Sequence, residues 1–259
     1  MADVTLDTTT TPRVATIRLD RPPMNAISRQ TTEELDASVA ELEGRDDIGA
    51  VVIWGGPKVF AAGADVKEFP DLDRAGALAL SQRLNEVFDR LAGLPQPVIA
   101  AVNGFALGGG FELALTADFM LLGESARLGL PEIQLGLIPG GGGTQRLSRL
   151  VGPMRAKHLV FTGRHVKAPE ALELGIALAV HPDDDVYDAA LALAASLAAG
   201  AASMRIAKRV IDAGAPLGMA EALAVETEGF ADCFDTEDAR TGILSFMENG
   251  PGKATFSGR

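Results

Sequence analysis

With 259 residues and 47% apolar side chains, the chain is long enough for one substantial core, with or without a small appended segment. Its 35 acidic against 23 basic side chains, a formal charge of -12, argue against a surface that neutralises a phosphate backbone, so nucleic acid is not an expected partner. The single cysteine, Cys233, cannot close an internal disulfide, and His158, His165 and His181 are not clustered at metal-ligand spacing, which points to a reducing compartment and no structural metal.

The N-terminal stretch Met1 to Pro12 is polar and Thr-rich, with neither a basic start nor an apolar run, so no secretory signal is expected there. Val14 to Leu19 alternates and stops at Asp20-Arg-Pro-Pro23, as a half-buried strand followed by a turn does. Between Ser28 and Leu42 the apolar Leu35, Val39 and Leu42 recur at steps of three and four, one stripe of a helix. Ile48 to Trp54 reads as a fully buried strand closed by Gly55-Gly-Pro57. A second amphipathic helix over Ala75 to Ala92 and a buried strand over Pro97 to Val102 continue the alternation.

Farther on, a helix is predicted over Phe111 to Ala117, a strand over Phe119 to Leu122, and a loop over Gly136 to Gly143 that leads into a helix from Thr144. The order is that of an α/β fold with short crossovers. Beyond about Pro153 helices dominate: Met154 to Thr162, Pro169 to Leu174, Val186 to Ala199, Ser203 to Ala213 and Met219 to Phe234. Ala189 to Ala202, the longest apolar run, is shorter than the roughly 20 residues that span a bilayer, so it reads as an ordinary packed helix. A chain free in the cytoplasm, with no membrane partner, is the expectation.

Three segments carry the chemistry: Phe60-Ala-Ala-Gly-Ala-Asp-Val-Lys67, Asn103-Gly-Phe-Ala-Leu-Gly-Gly-Gly-Phe-Glu-Leu113, and Pro131-Glu-Ile-Gln-Leu-Gly-Leu-Ile-Pro-Gly-Gly-Gly-Gly-Thr-Gln-Arg-Leu147. Each puts Gly or Ala where a strand gives way to a helix. Small residues there let backbone N–H groups approach a ligand, and a helix N-terminus favours developing negative charge. Glu112 lies just inside the helix opened by Gly108-Gly-Gly110, and Glu132 follows Pro131 twenty positions later. Taken singly, each feature has a bland reading as a structural turn, a first-turn carboxylate or a solvated charge. Their joint occurrence, in this order, departs from chance.

These segments, with Arg21-Pro-Pro-Met-Asn-Ala26, make the chain similar to the enoyl-CoA hydratase/isomerase, or crotonase, family over nearly its whole length. The resemblance implies a spiral of ββα units over residues 1–195, a helical C-terminal trimerisation region over 196–259, and assembly as a homotrimer or homohexamer. It implies an acyl-CoA thioester as substrate, with CoA part of that substrate and no separate cofactor. Carried over by position, the N–H groups of Ala64 and Gly109 form an oxyanion hole. Glu112 and Glu132 hold the catalytic water as an acid/base pair, and Gly140 lies beside it. Ala62, Asp65, Val66 and Lys67 line the CoA path. Phe246 and Lys253 resemble a tail that contacts CoA, although Gly250-Pro-Gly252 interrupts the usual basic run.

Hydration of a trans-2-enoyl-CoA is the activity this implies, because both glutamates are present. Double-bond isomerisation, which in the family often runs with a single acid, or another crotonase-type acyl-CoA lyase reaction is the alternative within the family. Hydrolysis lacks a nucleophile and base pair, since Ser125 is the one serine expected near the site and Cys233 falls in the helical tail. Non-catalytic acyl-CoA binding is a rival of another class, opposed by the two glutamates and the glycine turns.

Overall fold

A computed structural model describes residues 2–259. The Thr-rich start, to which sequence reading assigns no element, forms a strand, β1 (Val4–Thr11), antiparallel to β2 (Val14–Leu19) through a turn at Pro12-Arg13. Val4 is buried and Leu6 packs on the core while the intervening Thr and Asp face outward, the period-2 pattern of an edge strand.

From β2 the chain runs through α1 (Arg29–Glu43), capped by the Ser28 side chain, and then enters a repeating pattern. The long strands β3 (Ala50–Trp54), β5 (Val98–Val102) and β7 (Phe119–Gly123) lie side by side in one sheet, ordered β1-β2-β3-β5-β7-β10 with β10 at Ala179–His181. Each is followed by a short strand that joins a second sheet, ordered β4-β6-β8-β9: β4 (Ala61–Ala62), β6 (Phe105–Leu107), β8 (Arg127–Gly129) and the later β9 (Val166–Lys167). A helix then returns the chain: α2 (Arg74–Ala92), α3 (Gly109–Ala114) and α4 (Gly143–Val151). Three successive strand–strand–helix units, parallel within each sheet, make the crotonase-like spiral of ββα units.

The apolar runs are continuous because the long strands are covered on both faces. Val51, Ile53, Val98, Ala100 and Val102 face the main core with α1 and α2, while Ala50, Val52, Ile99 and Ala101 face α7 (Val186–Ala198). Ala190, Ala194 and Ala198 form a small-residue stripe at four-residue steps, which lets α7 lie close against the sheet. The Ala-rich segment is therefore a packed helix, as its length suggests. No single helix among the described residues is long and apolar enough to cross a membrane.

After α5 (Pro153–Thr162), α6 (Ala168–Glu173) and α7 come α8 (Ser203–Gly214), α9 (Met219–Cys233) and α10 (Glu237–Asn249). The last is a helix that the sequence reading omits. Of the three histidines, only His158 lies in a helix; His165 precedes β9 and His181 ends β10.

Candidate active site

The site starts from a docked segment. Met24 to Ile27 runs alongside Ala62 to Asp65, with Ala62 N–H donating to Met24 O at 2.9 Å, Ile27 N–H to Gly63 O at 2.9 Å and Asp65 N–H to Ile27 O at 2.8 Å. Buried Asn25 secures this join, its amide donating to the carbonyls of Gly55, Val59 and Phe60 at 2.7, 3.2 and 3.0 Å. Arg21 closes it from outside through Asp65 at 2.6 Å, and this guanidinium holds the Asp65 carboxyl below the usual carboxylate range. Asp65 is thus a paired, N-capping carboxylate of the 3-10 turn Val66–Glu68.

Gly109 opens α3 beside this segment: a Cβ on it would stand 3.5 Å from Ala64 N, so the two backbones are neighbours. Among the described residues, neither the Ala64 nor the Gly109 N–H is engaged in a hydrogen bond within the chain. α3 begins two residues earlier than the sequence suggests, because Gly108 at φ 49° makes the turn into it.

One turn in, Glu112 is 2% exposed, and its Oε1 accepts the N–H groups of Gly141 and Gly143, each at 2.8 Å. Burial pushes this carboxyl up, opposed by the two N–H groups and by Arg146. The glycines are demanded by contact: a Cβ on Gly141 would come within 2.9 Å of Glu112 Oε2 and of Leu84 Cδ2.

Glu132 arrives from the 3-10 turn Pro131–Leu135 and lies against the other glycine turn, the one that opens α3, its Oε1 2.8 Å from where a Gly108 Cβ would sit. Its Oε2 is buried without a hydrogen-bond partner. Burial, with the negative charge of Glu112 adding to it, pushes Glu132 up to about 7 against the pull of its own backbone N–H. Two carboxyls near enough for the charge of one to act on the other, both raised, are placed to divide protonated and ionised roles between them.

The enoyl-CoA hydratase/isomerase family profile matches residues 9–259. The chain belongs to this family. It is 40% identical over 239 residues to a short-chain-enoyl-CoA hydratase of Clostridium acetobutylicum, covering 91% of this chain and 92% of the relative. A crystal structure of an enoyl-CoA hydratase from Bacillus anthracis superposes with a TM-score of 0.93 at 36% identity, over 99% of this chain and 100% of that one. The enoyl-CoA hydratase of Mycobacterium smegmatis gives 0.91 at 27% identity, over 96% and 97%.

Of the other positions that the crotonase resemblance marks, Ala62 lies in β4, Val66 and Lys67 are exposed on the following turn, and Gly140 is exposed at the mouth of the glycine loop. Phe246 is exposed on α10, and Lys253 on the segment after it. Gly250, at φ 82°, ends α10, which is the structural outcome of the Gly-Pro-Gly interruption. The tail then folds back on α10, with Ser257 and Gly258 N–H groups donating to Asp238.

Ser125 occupies the turn between β7 and β8, its N–H bound to Asp183. It is not the one serine near the site: the fold brings in Ser81 of α2, whose hydroxyl donates to Gly140 O at 2.7 Å, and Asn85, which donates to the same oxygen at 2.7 Å. Their positions in the sequence, more than fifty residues away, give no sign of this contact.

Proposed function

We propose that the chain is an enoyl-CoA hydratase, adding water reversibly and syn across the double bond of a trans-2-enoyl-CoA to give a 3-hydroxyacyl-CoA. The names of its relatives support this. On the chain itself one observation carries it: Glu112, held by two backbone N–H groups of the glycine loop, and the half-buried Glu132, whose unpartnered oxygen belongs to a carboxyl lying against the Gly108 turn, are near enough for the charge of one to raise the other.

Attack of water at C3 moves an electron pair through C2 onto the thioester oxygen. The adjacent N–H groups of Ala64 and Gly109 meet that charge, and one such donor is worth about 3 kcal/mol in the transition state. Glu112 takes a proton from the attacking water, and Glu132 holds the water and delivers a proton to C2. A Glu132 carboxyl at about 7 is still substantially protonated at neutral pH, as that delivery needs. The reaction is redox neutral, so it calls for no cofactor beyond the CoA that arrives with the substrate.

Ala62, Asp65, Val66, Lys67 and Gly140 belong to the CoA and substrate path in this reading, with Phe246 and Lys253 contributed by the tail. Residues 196–259 form the trimerisation region of a homotrimer or homohexamer in the cytoplasm, a reading supported by the large apolar side chains left uncovered on α9 and α10. The test is a series of enoyl-CoAs from crotonyl-CoA upward, followed as loss of the conjugated thioester absorbance. Hydration of at least one is expected. A folded protein that binds CoA yet hydrates none of them contradicts the reading.

A further inference from the structure

Four consecutive glycines, Gly140 to Gly143, carry the two N–H groups that hold Glu112, yet glycine is the residue least able to hold its own conformation. Order in this loop has to be supplied from outside. The face of α2 that supplies it is set by spacing: Ser81, Asn85 and Asp89 recur at four-residue steps and so line one side of the helix. Asp89 pairs with Arg146 of α4 at 2.6 Å, and Leu84 packs where a Gly141 Cβ would be. The Ser81 hydroxyl and the Asn85 amide both donate to Gly140 O, while Asn85 also donates to Ser81 O at 2.8 Å.

The Gly140 carbonyl and the Gly141 N–H are two ends of one planar peptide group. Fixing the oxygen therefore aims the N–H, which donates to Glu112 Oε1, and donors on the oxygen polarise the group and strengthen that bond. We propose that Ser81 and Asn85 are positioning residues for the hydratase reaction, holding the Gly140–Gly141 peptide so that its N–H fixes the Glu112 carboxylate. This rests on the hydratase reading above. Their effect reaches the reaction only through the loop.

The experiment compares Ser81→Ala/Asn85→Ala with Ser81→Thr, which keeps the hydroxyl. The double variant is expected to lose at least about tenfold in kcat with a much smaller change in KM, because Gly140 is one contact among several along the substrate path whereas Glu112 acts on the reacting water. Its activity should also reach full value only at higher pH. Glu112 faces the Gly141 and Gly143 N–H groups, Arg146 tied to Asp89, and Glu132; weakening the N–H donors leaves burial less opposed and raises the carboxyl further. Deuterium uptake by the 137–147 segment should rise in the double variant and stay as in the wild type in Ser81→Thr, whose kcat should hold within about twofold.

A double variant that loses only thermal stability, with kcat, pH limb and exchange unchanged, overturns the proposal. Should it fail to fold, Ser81→Ala against Ser81→Thr makes the same comparison, and equal kcat and equal exchange overturn it. Wild-type protein inactive on every enoyl-CoA would count against the hydratase reading, while the exchange comparison still decides whether the clamp holds the loop.

Discussion

Strands β3, β5 and β7 bury almost every side chain on both faces, whereas α8, α9 and α10 together bury only Gly229 and Asp238. The sheet core finds its partners within the chain. The terminal helices carry large apolar side chains such as Phe230, Phe234 and Met247 outward, a surface that nothing within the chain covers. The carboxyl groups of the two regions differ in the same way. Asp238 is fully used, accepting from Ala202, Ser257 and Gly258, and it ties the tail to the start of α8. Glu132 leaves one buried oxygen without a partner. A buried acid whose hydrogen bonds are complete contributes to stability, and one left short is free to act on a ligand.

Substitution at these two carboxyls should therefore move stability in opposite directions. Asp238→Ala leaves three N–H groups without their acceptor at a part-buried site and is expected to cost about 2 kcal/mol, a fall in Tm of several degrees. With the tail released, light scattering should show the trimer or hexamer dissociating at low concentration; an unchanged Tm, or a wild type monomeric at every concentration, breaks this side of the comparison. The smaller effect has the other sign. Glu132 is raised in the fold from 4.5 to about 7, so its contribution to stability is full below 4.5 and lost as pH rises through about 7. Glu132→Gln should thus be more stable than the wild type at pH 8, by about 2 kcal/mol after allowing for partial solvent screening, with the gain vanishing near pH 4. Denaturant midpoints that show no pH-dependent difference would contradict this.

What could be read in the sequence follows from how far apart the contacting residues lie. Val14 to Leu19, Ala50 to Trp54 and Val98 to Val102 are legible because strands covered on one or both faces leave a period-2 or continuous apolar signal. The second sheet is not, since β4, β6, β8 and β9 are two or three residues long and two of them sit inside the Gly and Ala segments that carry the site. Glu112 and Glu132 stand out through their glycine-rich surroundings. Ser81 and Asn85 look like ordinary polar residues of an amphipathic helix, and only the packing of α2 on the glycine loop gives them a partner. Asp238 is equally silent, because its partners are the start of α8 and the last residues of the tail.

If Glu112 and Glu132 act on one water, a double-mutant cycle will show their effects to be coupled. Glu112→Gln and Glu132→Gln keep the side-chain shape and should each lower kcat by at least about a hundredfold with KM little changed. The account expects the double variant to lose far less than the product of the two single losses, since each removes part of one joint operation. Losses that multiply independently, or a Glu132→Gln enzyme that hydrates nearly as well as the wild type while Glu112→Gln is dead, would contradict it and leave the single-acid chemistry of an isomerase as the better account of this site.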